Sequence, residues 1–397
     1  MEIYECILSL ISGIGVFILA MKLLSDSLKD FSGEKMKSLL KKITGNRIKG
    51  VLIGALVTGV VQSSAVTTLM VIGFVNANIM DLYQAAAVII GANIGTTTTG
   101  LLASLESFNI SLYLSLFCFI GVMLAFIKKF IKIANLLIGL SMVFVGLELM
   151  SSSCDNESIK SGFKNAFEKI SFPLLLELLG IIFTAILQSS SAMTGLVIVM
   201  ISNQAINIQN ALFITLGANI GSCVTALIGI IGTNINSKRT AIIHLTFNIL
   251  GCSLFTPILW IFTNGIVNIL KAMVSKEGMQ IAIFHLFFNC ITAIITTPLI
   301  KYLVKFSEFV IKDKNNKGNI LEKLIENVDD IGDMIRNDDS TNTSFENNED
   351  FKEEKDNENN NEKNFNINDD NDDDEENEIN GNDSKKNKEI ISLESIN

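Results

Sequence analysis

Long apolar segments alternate with short polar ones along most of the chain. The apolar runs occupy residues 3–24, 82–104, 111–127, 133–150, 208–232, 241–264 and 280–303. Most of them have about 20 residues, the length of α-helix that crosses a hydrocarbon core roughly 30 Å thick. Two more apolar segments, 51–75 and 174–201, are each interrupted by a Gln-Ser-Ser sequence. The pattern predicts an all-α polytopic membrane protein.

The same order of segments occurs twice, at a spacing of 126 residues. Gln62-Ser63-Ser64 aligns with Gln188-Ser189-Ser190, and Gly91-Ala92-Asn93-Ile94-Gly95 aligns with Gly217-Ala218-Asn219-Ile220-Gly221, without a gap. A fixed offset over so long a stretch indicates a duplicated unit. The predicted organisation is a membrane repeat at 1–126, a second at 127–252, a further membrane segment at 253–312, an amphipathic helix at 313–337 and a tail at 338–397.

The distribution of basic residues predicts how the repeats are oriented. The stretch 25–50 is rich in Lys and is therefore expected in the cytoplasm. If each Gln-Ser-Ser segment enters the membrane and returns on the same side, most other basic loops are cytoplasmic as well. Each unit then crosses three times, so that the copies are inverted repeats, each with a re-entrant hairpin. This architecture is typical of transporters in the plasma membrane. It places the loop 151–172 outside and the C-terminal tail in the cytoplasm.

The overall charge needs to be divided before it is interpreted. The 397 residues are 49% hydrophobic and 18% charged, with a formal net charge of −10. Residues 338–397 carry 21 acidic and 6 basic residues, which leaves a net charge of +5 on residues 1–337. The tail is too poor in apolar residues to fold, and we predict that it is disordered. The acidic balance therefore describes the tail and does not argue against an anionic substrate.

The sequence lacks the residues that several classes of function require. The six cysteines form no CxxC pair, and neither a disulfide framework nor a zinc site is predicted. The sequence has no phosphate-binding loop and no arrangement of nucleophile, His and acid, so we expect no enzyme and no resident cofactor. A combined basic and aromatic segment is also missing, which argues against nucleic acid as a partner. The acidic N-terminus favours a retained first span over a cleaved signal peptide.

The Gln-Ser-Ser segments combine polar groups that could bind ions. A re-entrant turn frees N–H groups at a helix N-terminus, where the helix dipole favours an anion. Serine hydroxyls donate to oxyanions, while amide and carbonyl oxygens accept a hard cation such as sodium. Small polar residues also pack helices together in membranes. Their occurrence at matched positions of both copies favours binding over packing.

Other polar residues in the apolar segments leave alternatives open. Asn93 and Asn219 could coordinate an ion or brace the hairpins. His244 and His285 each precede an Asn by four residues, a spacing that suits bonding between helices and also allows a proton relay. Glu148 and Glu177 are ionisable groups in or near apolar segments, and Glu148 is expected to be an interfacial anchor.

At these motifs the chain resembles the sodium-dependent phosphate cotransporter family, the bacterial relatives of the type II carriers. The resemblance rests on Thr44-Gly45-Asn46-Arg47, both Gln-Ser-Ser segments, both Gly-Ala-Asn-Ile-Gly motifs and residues 239–244, and it covers about residues 5–305. It implies a secondary carrier that moves inorganic phosphate inward with sodium by alternating access. The residues that it implies in the phosphate and sodium sites are Gln62, Ser63, Ser64, Gln188, Ser189, Ser190 and Ser191. Those that it implies in support are Thr68, Thr194, Asn93 and Asn219.

The chain departs from the family pattern in two places. Ala65 stands where the family usually has a third serine, which removes one hydroxyl from the first motif. The tail does not resemble the helical phosphate-regulator-like domain that many bacterial relatives carry. Two alternatives to phosphate uptake are a carrier for another oxyanion or small organic anion, and a non-transporting membrane sensor or scaffold.

Overall fold

The computed structural model describes residues 3–41, 46–108, 111–170 and 172–313, and all regular structure in these ranges is helical. Short 3₁₀ turns at Leu105–Phe108 and Lys128–Phe130 join some of the helices. The α-helices are α1 (Ile3–Lys41), α2 (Arg47–Val61), α3 (Ser64–Asn76), α4 (Leu82–Ser104), α5 (Ser111–Ala125), α6 (Ile131–Cys154), α7 (Glu157–Glu168), α8 (Pro173–Leu187), α9 (Ser190–Ser202), α10 (Ile208–Gly221), α11 (Cys223–Gly229), α12 (Ile235–Met273), α13 (Glu277–Thr296) and α14 (Ile300–Val310).

Six of the seven predicted spans correspond to helices that are long and apolar enough to cross a membrane. These segments are Ile3–Phe31, Leu82–Ser104, Lys128–Cys154, Ile208–Gly229, Ile235–Met273 and Glu277–Thr296. The remaining predicted span, 111–127, contains α5, which has 15 residues. The predicted helix at 313–337, apart from residue 313, and the tail at 338–397 lie outside the described residues. The all-helical fold is thus confirmed for the described chain, with six helices that are long and apolar enough to span a membrane.

The first helix is longer than its apolar run. α1 continues to Lys41, through much of the polar stretch that follows residue 24. Polar residues are compatible with a helix that has left the hydrocarbon, and Lys29 Nζ lies 2.8 Å from Asp26 Oδ1 in an i,i+3 pair. The helix therefore extends beyond the apolar segment from which it was predicted.

The helix boundaries follow the 126-residue offset. Both ends of α8 lie 126 positions after those of α2, and the same holds for α9 and α3. The four described non-glycine residues with positive φ are Gln62, Asn78, Gln188 and Gln204, which are again two pairs 126 apart. Left-handed backbone is uncommon outside glycine, so its recurrence at matched positions is specific. The counterpart of α4 in the second copy is not continuous: it is divided at Ser222 into α10 and α11.

Glycines of the Gly-Ala-Asn-Ile-Gly motifs bring helices into backbone contact. A Cβ on Gly91 would overlap the carbonyl oxygen of Val51, which joins α4 to α2. A Cβ on Gly217 would likewise overlap the carbonyl oxygen of Glu177, which joins α10 to α8. A side chain at either glycine would force the helices apart. The close approach that these glycines permit is therefore to another helix.

The ends of α3 and α9 lie next to different helices. The backbone N–H of Asn234, the N-cap of α12, donates to Asn76 Oδ1 at the end of α3 at 2.9 Å. The end of α9 is instead beside the start of α13, where Asn203 and Lys276 line one cavity. α12 and α13 run antiparallel, since Gly251 faces Thr292 while Phe255 faces Phe288. α3 and α9 therefore end at opposite ends of the α12–α13 pair.

Candidate substrate site

The first Gln-Ser-Ser sequence forms a break between α2 and α3. Gln62 adopts the left-handed conformation with φ 57°, and Ser63 is extended. Ser63 Oγ accepts a hydrogen bond from the backbone N–H of Val66 at 3.3 Å and so caps α3. Thr58 Oγ1 donates to Thr67 Oγ1 at 3.0 Å across the break. Nine residues of straight helix would span about 13.5 Å, so the chain folds back here.

Both ends of the Gln62 amide are held by protein. Its Nε2 donates to Thr98 Oγ1 at 2.9 Å and to the carbonyl oxygen of Gly59. Its Oε1 accepts from Thr99 Oγ1 at 3.0 Å. Thr98 and Thr99 belong to the threonine run of α4, which follows the Gly-Ala-Asn-Ile-Gly motif. The sequence did not indicate that this run holds the glutamine of the first break.

The second break repeats the backbone of the first but not its side-chain contacts. Gln188 has φ 51°, and Ser189 Oγ accepts from the backbone N–H of Ala192 at 3.2 Å. Thr184 Oγ1 is buried without a partner, because Met193 stands where the first copy has Thr67. The Gln188 side chain is exposed and makes no hydrogen bond to the described residues.

Each break presents the start of a helix that carries no charged residue. Ser64 begins α3, Ser190 and Ser191 begin α9, and all three are half-buried. The first N–H groups of a helix have no partner within the helix, and the dipole there favours an anion. Two such starts, with hydroxyls in the first turn, can bind an anion without a formal positive charge.

The four residues expected in support are buried and occupy different surroundings. Thr68 Oγ1 has no hydrogen-bond partner in the part of the chain that the structure describes, and the methyl group of Thr194 packs near Gly100 of α4. Asn93 Nδ2 donates to the carbonyl oxygen of Ile89 within its own helix at 2.9 Å. Asn219 makes the equivalent bond and also has contacts to another helix. Among these residues, Asn219 is the one that joins elements through its side chain.

A buried polar cluster surrounds Asn219. His285 Nε2 lies 3.2 Å from Asn219 Oδ1, and Asn289 Nδ2 donates to the same oxygen at 3.4 Å. On α12, Asn248 Nδ2 donates to Cys223 Sγ at 3.3 Å, a contact that the sequence did not indicate. His285 thus bonds between helices, as its spacing allowed. Both ring nitrogens of His244 are buried and have no hydrogen-bond partner among the described residues.

The carboxyl groups differ in their surroundings. Glu148 is exposed, whereas Glu177 is 6% exposed and its Oε1 forms a hydrogen bond with Thr256 Oγ1 of α12. Glu106 lies beyond the end of α4, beside a cavity of about 360 Å³. Burial raises the pKa of Glu106 above 4.5, and the nearby Glu148 carboxylate raises it further, while a hydrogen bond from Ser151 lowers it.

Comparison with known proteins identifies the family. The sequence profile described as Na+/Pi-cotransporter matches residues 16–152 and again residues 157–294. The uncharacterised protein YqeW of Bacillus subtilis is 27% identical over 302 residues, 75% of this chain and 96% of YqeW. YjbB of Salmonella typhimurium, named for a proposed role in inorganic phosphate export, is 25% identical over 312 residues, 78% of this chain.

Apart from YqeW, the matches cover a smaller share of the related protein. The chain spans 56% of the length of YjbB. Sodium-dependent phosphate transport protein 2A of sheep is 30% identical over 98 residues, which are 24% of this chain and 15% of that protein. No solved structure gives a significant match. Because the two profile matches together cover more than half of its residues, the chain belongs to the Na+/Pi-cotransporter family.

Proposed function

We propose that the protein is a secondary active transporter that couples the uptake of inorganic phosphate to sodium by alternating access. The observation that carries this proposal is the pair of helix breaks, at which two uncharged helices begin with serine hydroxyls. Family membership supports phosphate as the substrate. The name of the sheep relative supports sodium as the coupling ion.

The proposed architecture is two inverted repeats, 1–126 and 127–252, each with a re-entrant hairpin, followed by a membrane segment at 253–312. The shared 126-residue offset of helix ends and left-handed residues supports the duplication. The ends of α3 and α9 at opposite ends of the α12–α13 pair support the inversion. In this arrangement both helices begin inside the protein, where inverted-repeat carriers bind their substrates. The protein would lie in the plasma membrane with its C-terminal tail in the cytoplasm.

Phosphate would bind at the helix starts, through the hydroxyls of Ser64, Ser190 and Ser191 and the first N–H groups of α3 and α9. The serines that cap these helices, Ser63 and Ser189, hold the starts in place. The exposed amide oxygen of Gln188 could bind sodium, which would offset the charge of phosphate. Thr68 adds a buried hydroxyl without a partner.

The experiment is uptake of labelled phosphate into vesicles that contain the purified protein. Uptake is expected only with an inward-directed sodium gradient. Each of Ser64→Ala and Ser190→Ala should weaken apparent phosphate affinity about tenfold, because a hydrogen bond to a charged group contributes about 1.5–3 kcal/mol. The control Ser161→Ala removes an exposed hydroxyl of α7 and should change nothing.

The outcomes separate the alternatives. Uptake that does not respond to sodium would contradict the coupling. If Ser64→Ala and Ser161→Ala changed the apparent phosphate affinity equally, the serines at the breaks would serve only in helix packing. Competition by sulfate or carboxylates as strong as by phosphate would favour another anion. If serine substitutions left the phenotype of cells intact while deletion of residues 338–397 abolished it, a sensor or scaffold would explain the protein better.

Export of phosphate is a second candidate, because YjbB is named for it. The same vesicles test the direction when they are loaded with phosphate and the sodium gradient is reversed. A carrier works in both directions according to the gradients, so efflux in vesicles is expected for either role. Phosphate accumulation in cells that express the chain would favour uptake, and depletion would favour export.

A further inference from the structure

Glu177 is a buried carboxyl group that the proposed phosphate site does not use. It lies in α8, four residues after Pro173, and its side chain is 6% exposed. Its hydrogen-bond partner is Thr256 of α12, and no basic residue of the described chain pairs with it. An unpaired carboxylate in an apolar interior is strongly disfavoured, so such a group is neutral or bound to a cation.

The number of hydrogens available for the two hydrogen bonds of the Thr256 hydroxyl favours the neutral form of Glu177. Thr256 Oγ1 lies within hydrogen-bond distance of Glu177 Oε1 and, at 2.7 Å, of the carbonyl oxygen of Cys252. The hydroxyl has one hydrogen, whereas the carbonyl oxygen can only accept. Both contacts are satisfied when Thr256 donates to Cys252 and a protonated Glu177 donates to Thr256.

Packing does not require a glutamate at this position. The position 126 residues earlier is Val51, and the carbonyl oxygens of Val51 and Glu177 make the same close contacts with Gly91 and Gly217. The first copy thus builds this helix contact with an apolar side chain. The carboxyl group is a feature of the second copy alone.

Glu177 directly follows the lining of a cavity to which the start of α8 contributes Pro173 and Leu176. This cavity has a volume of about 430 Å³, and Leu176, Phe213 and Trp260 are among its lining residues. Leu176 directly precedes Glu177, and Trp260 is one helical turn from Thr256 on α12. Along α8, the second break at Gln188 follows about 16 Å further on. Glu177 therefore lies between the cavity and the proposed substrate site.

Few other titratable groups face Glu177. Of the helices that pack on α8, α9 and α10 carry none. α11 contributes Cys223. On α12 the nearest is Cys252, one turn from Thr256, which interacts electrostatically with Glu177. His244, twelve residues before Thr256, is about 18 Å away along the helix. The carboxyl group is the most acidic of these groups and is the one expected to exchange a proton.

From these observations we infer that Glu177 is a proton-binding site of the transport cycle. The carboxyl group is protonated in this conformation, with its proton donated to Thr256. When the cycle opens α8 towards the cavity, the O–H bond breaks, the proton passes to water and the carboxylate is hydrated. Transport then depends on pH through Glu177. This inference rests on the proposed transport function.

The experiment compares phosphate uptake by the wild type and Glu177→Gln over a pH series. The amide of Gln donates to Thr256 as a protonated carboxyl does, so packing is retained. Because phosphate itself titrates, the quantity to compare is the ratio of the two rates at each pH. We expect this ratio to change at least about threefold between about pH 6 and about pH 8, with a constant ratio for the control Glu148→Gln.

A second measurement does not depend on uptake. Infrared difference spectroscopy on the purified protein should show the stretch of a protonated carboxyl group that Glu177→Gln removes and Glu148→Gln retains. A constant rate ratio for Glu177→Gln together with no lost carboxyl band would overturn the inference. Absence of phosphate uptake by the wild type would contradict the transport proposal, while the infrared band would still report on protonation.

Discussion

At the scale of single residues, the two glutamines at the breaks have equivalent backbones and different roles. Gln62 is held by Thr98 and Thr99 of α4, whereas Gln188 is exposed and without a hydrogen bond to the described residues. Removing Gln62 leaves two threonine hydroxyls without their side-chain partner. Removing Gln188 takes away an exposed amide that makes no hydrogen bond to the described residues.

Gln62→Ala is therefore expected to lower thermal stability, and Gln188→Ala is not. Loss of three hydrogen bonds at about 1 kcal/mol each predicts destabilisation of about 3 kcal/mol for Gln62→Ala. Thermal unfolding in detergent measures the difference, and sodium-dependent uptake measures the role of Gln188. A Gln188→Ala protein that unfolds as early as Gln62→Ala would show that Gln188 also braces the fold.

At the scale of helices, backbone contact explains the duplicated glycines. Gly91 and Gly217 occupy the same place in the α2–α4 and α8–α10 pairs, and both face a carbonyl oxygen. The contact is with backbone, which cannot rotate away as a side chain can. These helix pairs therefore have little tolerance for an added methyl group.

Gly91→Ala and Gly217→Ala should each destabilise the protein by about 3 kcal/mol or more, because overpacking a rigid contact shifts the backbone. Gly265→Ala is the matched control, since Gly265 is in α12 with no atom near its Cβ position. It should be neutral or stabilising by up to about 1 kcal/mol through helix propensity. Unfolding temperatures of the three variants check this, and similar values for all three would refute it.

The helical scale also shows how far the sequence could predict the site. Gln-Ser-Ser in an apolar segment predicted a break, because polar groups in hydrocarbon need an irregular, protected backbone. The partners of Gln62 could not be predicted, since they depend on the rotation of α4 against α2. The sequence also could not show that Asn219, and not Asn93, bonds to another helix, because this depends on where α13 places His285. Periodicity gives the face of a helix, and packing determines which neighbour it meets.

At the scale of the whole molecule, a group of polar residues lies at the end where α13 starts. Glu106 lies there and its pKa is raised, so Glu106 holds its proton more tightly in the folded protein than in the unfolded chain. Its stabilising contribution is complete below the unfolded pKa, near 4.5, and is lost as the pH rises through the folded value. Above that value, a partly buried carboxylate is held close to Glu148.

Glu106→Gln should therefore be more stable than the wild type at about pH 8 and equal to it at about pH 4. Thermal unfolding across this range measures the difference. Glu148→Gln should reduce the effect without abolishing it, because burial is the larger cause. A stability difference that does not change with pH would mean that Glu106 binds its proton equally well in the folded and unfolded states.

The unequal freedom of the two glutamines has a consequence for binding affinity. Gln62 lost its rotamer freedom when the protein folded, but Gln188 still has it. Fixing such a side chain costs up to about 1.5–2 kcal/mol, which corresponds to tenfold or more in a dissociation constant. If each break binds one ion through its glutamine, the first should bind more tightly and fill first. The duplicated chain would thus load its ions in a fixed order.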